Sequence, residues 1–285
     1  MSYDLQESLI LYLKGPKFRR YIPDWIVTTI LLAYFFVVAE YARPFSRQFS
    51  LSDLTLSHPH ATVERVSGPQ CIALASILPS LVIVIATFLK HRNSRNSKNG
   101  EEQIFHNVQV AVLGLAVAIS STGIVTDIFK NWIARPRPDF LARCGAPPET
   151  PVDRQVDISV CTAPYGADVL LDGLRSTPSG HSSISFVAFS YLTLWLAGQF
   201  QLLRKPPQLL YKYVLTALPL LVALYISLSR AQDYRHHFYD IILGSCLGCC
   251  FAWMVFHHYW EDLRGEDCTQ PRSRETDDGI AILPV

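Results

Sequence analysis

Six long apolar runs, separated by short charged or proline-rich stretches, constrain this 285-residue chain more than any other feature of its sequence. A bilayer-spanning helix needs about 20 predominantly apolar residues, and each run reaches or approaches that length. A soluble helical protein is the alternative, but six such runs would leave too little polar surface to cover a globule. We therefore predict an all-α, polytopic integral membrane protein with six transmembrane helices. The predicted spans are residues 25–42, 70–89, 108–129, 183–203, 213–228 and 238–260.

Clusters of basic residues mark one side of the predicted membrane domain. Because such clusters remain in the cytosol, both termini are expected there. We predict a cytosolic N-terminus (1–24), a six-span domain (25–263) and a disordered cytosolic tail (264–285). The polar link 91–102 is expected to be a flexible loop. The basic residues are Lys14, Lys17, Arg19 and Arg20 before the first span, Lys90, Arg92, Arg95 and Lys98 before the third, and Arg204, Lys205 and Lys212 before the fifth.

The cysteines leave two questions open. Cys144 and Cys161 lie in a long loop on the non-cytosolic side, where the compartment can be oxidising, so a disulfide and two free thiols are both compatible with the sequence. Cys268 follows the last span and is either palmitoylated or a free thiol, of which the free thiol is favoured.

The stretch KNWIARPRP (130–138) brings cations to the non-cytosolic end of the third span. Ionisable residues near membrane depth are costly and are functional candidates. Pro136 and Pro138 prevent a regular helix here, so the chain turns outward while it carries Lys130 and Arg137. These cations are either interfacial residues whose charged ends reach water or a clamp for phosphate.

The stretch TPSGHSS (177–183) opens the fourth span. Thr177 is predicted to cap that helix, with Pro178 at its first position. Unpaired N–H groups of the next three residues would then form an anion site at the positive end of the helix dipole, and His181 could transfer a proton near neutral pH. An ordinary helix cap with an interfacial histidine fits equally well. The three residues are Ser179, Gly180 and His181.

The stretch SRAQDYRHHFYD (229–240) adds a second guanidinium, Arg230, at the same level. Asp240 follows His236 by four residues and His237 by three, and both spacings bring side chains together on one helical face. A carboxylate bonded to one ring nitrogen would leave the other nitrogen free as a nucleophile. Spacing alone does not decide which histidine this is, and a salt-bridged interfacial loop is the alternative.

The histidines and aspartate in these stretches could also be metal ligands. Three cations in the same site would repel a divalent ion, however, and would suit the charge on the equatorial oxygens of a phosphoryl group in transfer. We therefore predict a metal-independent site without a cofactor. The three cations are Lys130, Arg137 and Arg230.

Taken in order, the three stretches resemble the three-part signature of the phosphatidic acid phosphatase type 2 superfamily. The stretches FSLSDLTLSHPHATVERV, PDFLARC and DGLRSTPSGHSS are most similar to its fungal branch of diacylglycerol pyrophosphate and lipid phosphate phosphatases. The resemblance covers most of the chain and makes residues 25–263 the family's six-span domain. The matching patterns are K-x6-RP from Lys130 to Pro138, PSGH from Pro178 to His181, and SR-x5-H-x3-D from Ser229 to Asp240.

This resemblance implies a role for each of the matched polar residues. His236, six residues after Arg230 and four before Asp240, would attack phosphorus and form a phosphohistidine. Asp240 would orient His236, while His181 would protonate the leaving group and then activate water. No magnesium ion is implied. The phosphoryl oxygens would be held by Lys130, Arg137, Ser179, Gly180 and Arg230.

The implied activity is that of a lipid phosphate phosphohydrolase acting on phosphatidate, lysophosphatidate or diacylglycerol pyrophosphate. Membrane lipids would be its substrates, and no nucleic-acid partner is expected. The active site would face the cell exterior or the lumen of the vacuole, endoplasmic reticulum or Golgi. The alternatives are a sphingoid-base phosphate phosphatase and a non-catalytic relative that binds or transports lipid phosphate. The sequence leaves the oligomeric state and the preferred headgroup open.

Overall fold

The computed structural model describes residues 5–39, 42–91 and 98–273. Within these ranges the chain is mostly helical, as predicted, and carries one short antiparallel strand pair. The helices are α1 (Leu5–Lys14), α2 (Pro16–Arg19), α3 (Ile22–Tyr34, continued by a π-helix over Phe35–Ala39), α4 (Gly68–Lys90), α5 (Lys98–Ile133), α6 (Phe140–Cys144), α7 (Ala167–Asp172), α8 (Gly180–Gln199), α9 (Leu210–Gln232) and α10 (Phe238–Tyr259). The strands are β1 (Phe49–Ser50) and β2 (Gln155–Val156).

Helix α8 lies at the centre of the helical bundle, with α4, α5, α9 and α10 packed around it. Gly244 and Gly248 of α10 allow a close approach to α8. A Cβ atom at either glycine would come within 2.5 Å of a backbone oxygen, that of Ser179 or Ser183 respectively. Small residues at this four-residue spacing let two helix backbones pack tightly. The N-terminal ends of α8 and α10 are therefore held side by side.

Five of the described helices are long and apolar enough to cross a membrane, namely α3 with its π-helical extension, α4, α5, α9 and α10. The helix at the fourth predicted span, α8, is not among them. It is rich in serine, and because other helices enclose it, its hydroxyl groups bond inside the bundle. Ser183 lies 2.8 Å from Thr126 of α5, and Ser185 lies 3.3 Å from Ser227 of α9. The central position of α8 therefore accounts for its lower hydropathy.

Helix α5 begins ten residues before the span predicted at residue 108. The prediction of a flexible link over 91–102 is therefore wrong for residues 98–102, and residues 92–97 lie outside the described ranges. The short helices α1 and α2 pack against this early part of α5. The contact between Lys17 and Glu102, at 3.1 Å, is one of those that join them.

The chain after α10 is ordered as far as residue 273, so the prediction of a disordered tail is wrong for residues 264–273. Trp260 forms a β-bridge with Pro271. Cys268 forms no disulfide and is fully buried, with its sulfur 3.7 Å from the carbonyl oxygen of Gly198. Residues 274–285 lie outside the described ranges.

Residues 42–67 and 134–179 form a loop lobe at the end of the bundle where α5 and α9 finish and α8 and α10 begin. Strands β1 and β2 pair within it, and the rings of Phe49 and Phe140 meet at 4.8 Å in its apolar core. Cys144 and Cys161 form a disulfide, which decides between the two alternatives left by the sequence. The lobe covers the helix ends that carry the predicted site residues.

Loss of this disulfide should destabilise the loop lobe. A cross-link between cysteines 17 residues apart contributes about 3 kcal/mol. The double variant Cys144→Ser/Cys161→Ser should therefore unfold at a lower temperature, measured by a thermal scan of the purified protein. Cys246→Ser, which removes an exposed free thiol, is the control and should leave the midpoint unchanged. Equal midpoints in both variants would contradict the assigned role.

Candidate active site

Six of the eight predicted site residues line one cavity of about 400 Å³ beneath the loop lobe. Apolar side chains of the π-helix and of α4, among them Phe35, Phe36 and Ile72, form another part of its wall. The other two predicted residues, Ser179 and Asp240, are fully buried and do not line the cavity. The three sequence stretches therefore meet in one place. The six lining residues are Lys130, Arg137, Gly180, His181, Arg230 and His236.

Helix α8 begins at Gly180 with Ser179 as its N-cap, so the predicted cap at Thr177 is wrong. The Ser179 hydroxyl accepts a hydrogen bond from the N–H of Ser182 (3.4 Å). The N–H of Ser179 itself donates to the carbonyl oxygen of Asp240 (2.9 Å). Thr177 instead donates its hydroxyl to the Asp240 carboxylate. Ser179 therefore holds the start of the helix rather than offering a free hydroxyl to the cavity.

The first turn of α8 still presents donors to the cavity. The N–H groups of Gly180 and His181 have no acceptor among the residues that the structure describes. The ammonium group of Lys130 approaches the same turn and lies 3.2 Å from the carboxylate of Asp127, one turn earlier on α5. Free N–H groups at a helix N-terminus beside a cation are a favourable arrangement for binding phosphate.

Gly180→Ala should impair catalysis with little effect on folding. A Cβ atom at this position would lie 2.8 Å from Lys130 Nζ, so the ammonium must shift. A misplacement of about 1 Å in a binding group can lower a reaction rate about a hundredfold. We therefore expect kcat/KM for the predicted release of phosphate to fall at least about tenfold. Steady-state kinetics with a thermal scan of the same sample would test this. An unchanged kcat/KM would show that Lys130 is not needed at this place.

The guanidinium of Arg137 is fixed at the cavity wall by backbone and carboxylate acceptors. Its Nε donates to the carbonyl oxygen of Asp172 (2.9 Å) and its Nη2 to the carboxylate of the same residue (2.8 Å). Arg143 holds the other carboxylate oxygen of Asp172 at 2.8 Å. Neither Asp172 nor Arg143 was predicted as a site residue. They lie in DGLR and PDFLARC, whose resemblance to the fungal branch was the only sequence signal for them.

His236 faces the cavity, and its tautomer follows from its two partners. Nδ1 lies 2.7 Å from the carbonyl oxygen of Ser176, which can only accept, so Nδ1 carries the proton. Nε2 is then unprotonated and accepts a hydrogen bond from Nη1 of Arg137 (3.3 Å). Burial, together with the nearby charges of Arg137 and Lys130, holds the pKa of His236 well below its usual range. The ring is therefore neutral and carries a lone pair on Nε2.

Asp240 does not bond His236, contrary to the predicted contact. Helix α10 begins at Phe238, so His236 precedes the helix and the four-residue spacing does not bring it to the carboxylate. Asp240 instead fixes the segment that ends in the N-cap of α8. Asp240 is linked to His236 indirectly, through the backbone N–H of His237 and through Ser176. The Ser176 hydroxyl donates to Asp240, and the Ser176 carbonyl oxygen accepts from His236. The donors to the Asp240 carboxylate are Ser176 Oγ (2.6 Å), Thr177 Oγ1, Arg135 Nη1 (3.1 Å) and the N–H of His237 (3.0 Å).

His237 is the N-cap of α10 and does not line the cavity. Its Nε2 lies 3.2 Å from the carbonyl oxygen of Pro136. The spacing to Asp240 left His236 and His237 as alternatives, and the structure separates them because only His236 of these two reaches the cavity.

His181 is the second histidine at the cavity wall. Its Nε2 lies 3.0 Å from the carbonyl oxygen of Val66, so Nε2 donates and Nδ1 is the nitrogen that can gain a proton. Val66 lies in the loop lobe just before α4. The lobe therefore sets the orientation of this ring.

Arg230 reaches the cavity from the end of α9 and is almost completely buried. Its Nη1 donates to Glu64 (2.8 Å), its Nη2 to Asp233 (2.7 Å) and its Nε to the hydroxyl of Ser229 (3.2 Å). Glu64 was not predicted as a site residue. Each predicted phosphate-binding cation thus has a carboxylate partner at the cavity. The three pairs are Lys130–Asp127, Arg137–Asp172 and Arg230–Glu64.

These pairs bear on metal binding. In the described part of the chain, no group of three or more His, Cys, Asp or Glu residues is arranged to hold a metal ion. The three cavity carboxylates each face a cation, which would repel a divalent ion. The donors around the cavity suit an anion.

Comparison with known proteins agrees with this geometry. Residues 111–264, which contain all eight predicted site residues, match the family model described as the PAP2 superfamily. The chain is 42% identical over 240 residues to diacylglycerol pyrophosphate phosphatase 1 of Saccharomyces cerevisiae, covering 84% of this chain and 78% of that one. It is 37% identical to the probable diacylglycerol pyrophosphate phosphatase 1 of Schizosaccharomyces pombe, covering 84% and 81%.

More distant relatives extend to plants. Over 246 residues the chain is 31% identical to lipid phosphate phosphatase 2 of Arabidopsis thaliana, covering 85% of this chain and 78% of that one. No solved structure is significantly similar to the chain. With its three motifs joined in one cavity and these relatives matched over most of their length, the chain belongs to the PAP2 superfamily.

Proposed function

We propose that the protein is a magnesium-independent lipid phosphate phosphohydrolase that removes the terminal phosphoryl group of diacylglycerol pyrophosphate, phosphatidate or lysophosphatidate. The observation that carries the proposal is the cavity in which the neutral Nε2 of His236 meets three cations and the first turn of α8. The names of the relatives, diacylglycerol pyrophosphate phosphatase and lipid phosphate phosphatase, support the substrate class.

In the proposed reaction, Nε2 of His236 attacks phosphorus and the bond from phosphorus to the leaving oxygen breaks. Nδ1 of His181, which is protonated before this step, gives its proton to that oxygen, which becomes the hydroxyl or phosphate of the released lipid. A water molecule, deprotonated by His181, then attacks the phosphohistidine, and the P–N bond breaks to give inorganic phosphate and free His236. Cations and backbone N–H groups hold the phosphoryl oxygens throughout. Those groups are Lys130, Arg137, Arg230 and the N–H groups of Gly180 and His181.

The Ser179 hydroxyl and the Asp240 carboxylate have positioning roles in this proposal. Ser179 holds the first turn of α8, and Asp240 holds Ser176, the residue that fixes Nδ1 of His236. Removing the Asp240 charge would therefore disturb the nucleophile indirectly.

The membrane arrangement follows from the helix pattern. The protein is a membrane protein with apolar helices of spanning length, and we propose that α8 is the sixth span, enclosed by the others. The described basic residues Lys17, Lys90 and Arg204 lie at the helix ends opposite the cavity, so the cavity would face the cell exterior or the lumen of the vacuole, endoplasmic reticulum or Golgi. Protease cleavage of the 92–97 link in sealed vesicles from the cytosolic side supports this orientation. Cleavage from the lumenal side alone would reverse it.

The proposed activity is tested by phosphate release from a substrate panel with EDTA present. Purified protein should release phosphate from diacylglycerol pyrophosphate and phosphatidate. Faster release from a sphingoid-base phosphate would favour the sphingoid-base phosphatase. Binding of these lipids without any release would favour a non-catalytic relative. Activity that is lost in EDTA and restored only by magnesium would contradict the metal-independent site.

The acidic limb of the pH–rate profile should reflect the depressed pKa of His236. The unprotonated ring is the nucleophile, so activity is retained above this pKa and lost as the pH falls through it. Because the pKa of His236 lies well below its usual range, kcat/KM corrected for ionisation of the substrate should keep its value as the pH falls below about 6.5, the usual pKa of histidine. A corrected limb at about pH 6.5 or above would contradict a buried, neutral nucleophile.

A further inference from the structure

The charge of Arg230 at the cavity is balanced by two carboxylates, those of Asp233 and Glu64, which differ in their exposure to solvent. Asp233 is buried, with 1% of its side chain exposed, and also accepts the N–H of Arg65 at 2.9 Å. Glu64 lines the cavity and has 26% of its side chain exposed. A buried carboxylate with several donors is costly to move, whereas a partly exposed one can be rehydrated. Glu64 is therefore the partner of Arg230 that can yield to another anion.

A second arginine keeps Glu64 paired when it yields. Oε2 of Glu64 lies 2.8 Å from Nη1 of Arg230, and Oε1 lies 2.8 Å from Nη2 of Arg235. Arg235 does not line the cavity, and its Nη2 is also anchored on the carbonyl oxygen of Ala61 (3.0 Å). The carboxylate thus bridges a guanidinium inside the cavity and one behind it. It can leave the first without losing its ion pair with the second.

We propose that Glu64 competes with the phosphoryl group for Arg230. The arriving phosphate displaces the carboxylate onto Arg235, and the carboxylate returns to Arg230 as the product phosphate leaves. Glu64 is thus a positioning residue that acts through Arg230 and limits how tightly the site retains inorganic phosphate. This inference rests on the proposed function, because it assumes that the cavity takes a phosphoryl group. Interactions that hold the product as firmly as the transition state would not speed turnover.

The experiment is equilibrium binding of inorganic phosphate to the purified full-length protein, which requires no turnover. Glu64→Gln should bind phosphate about fivefold more tightly, the size expected when a partly exposed ion pair no longer competes. The control is Glu102→Gln, whose partner Lys17 (3.1 Å) lies away from the cavity, and it should leave the Kd unchanged. Unchanged or weaker binding by Glu64→Gln overturns the proposal, since a purely structural role predicts weaker binding.

A second comparison separates competition for Arg230 from a general effect of charge. In an Arg230→Gln background phosphate can still bind through Lys130 and Arg137, and adding Glu64→Gln should change the Kd by less than about twofold. The same fivefold tightening in both backgrounds would mean that Glu64 acts only through its field, which overturns the competition. Glu64→Ala provides the same test if the glutamine variant does not fold. If the protein binds phosphate but releases none from any lipid, the proposed phosphatase function is wrong. The competition between Glu64 and phosphate for Arg230 would then still be supported by the binding data.

Discussion

His236→Ala is expected to abolish phosphate release from every lipid phosphate while the protein remains folded. The side chain supplies the unprotonated nitrogen Nε2 at the cavity wall, 3.3 Å from Nη1 of Arg137. Removing a nucleophile from a set of residues that acts as a unit costs about 10⁴-fold to 10⁶-fold in kcat. The measurement is phosphate release from diacylglycerol pyrophosphate and phosphatidate, with thermal unfolding of the same sample as the check on folding.

The neighbouring histidine provides the matched control. His237 caps α10, contacts the carbonyl oxygen of Pro136 and does not line the cavity. His237→Gln should therefore keep most of the activity. If His237→Gln is inactive and His236→Ala turns over at the wild-type rate, the assignment of the nucleophile is wrong.

His181→Gln should slow the reaction to an extent that depends on the leaving group. General acid catalysis contributes about 10²-fold to 10⁴-fold, and it matters most when the leaving oxygen is strongly basic. Phosphatidate expels a lipid alkoxide, whereas diacylglycerol pyrophosphate expels a much less basic phosphate. Release from phosphatidate should therefore fall by at least about a hundredfold, and transfer of the first phosphoryl group from diacylglycerol pyrophosphate should fall much less.

Rapid-mixing measurements of the first step with both substrates would test this difference. The reference is Glu102→Gln, whose substitution lies away from the cavity. Any activity that this variant loses reflects expression and purification rather than the reaction. Equal losses with the two substrates would indicate that His181 only supports the structure of the cavity and does not protonate the leaving oxygen.

The helical architecture was the part of the fold most accessible from sequence, because spanning helices require long apolar runs. Five of these runs stand out by hydropathy, and the sixth, at α8, is less apolar because neighbouring helices surround it. Local boundaries were less predictable. The end of the chain up to residue 273 packs on the bundle, where the sulfur of Cys268 lies 3.7 Å from the carbonyl oxygen of Gly198. These two residues are 70 positions apart, so no local pattern indicates the contact.

The residues that line the cavity were recognisable from sequence because each motif carries a charge or a histidine at a helix end. The residues that form hydrogen bonds and ion pairs with them were not recognisable. The sequence spacing predicted that Asp240 pairs with His236 on one helical face, but α10 begins at Phe238, two residues after His236. Glu64 lies 166 residues from Arg230, in a loop whose sequence has no charge spacing that points to the cavity. Only the fold of the loop lobe brings them together.

The phosphoryl group itself offers the most direct test of the central claim. His181→Gln should form the phosphohistidine from diacylglycerol pyrophosphate and hydrolyse it slowly, because the water molecule lacks its base. This variant is allowed to react, with EDTA present throughout, with substrate labelled in the terminal phosphate, and is rapidly quenched in alkaline detergent. Peptide mapping should then locate acid-labile label on His236. Continued phosphate release with no label on the protein, or with label on another residue, would contradict transfer through His236.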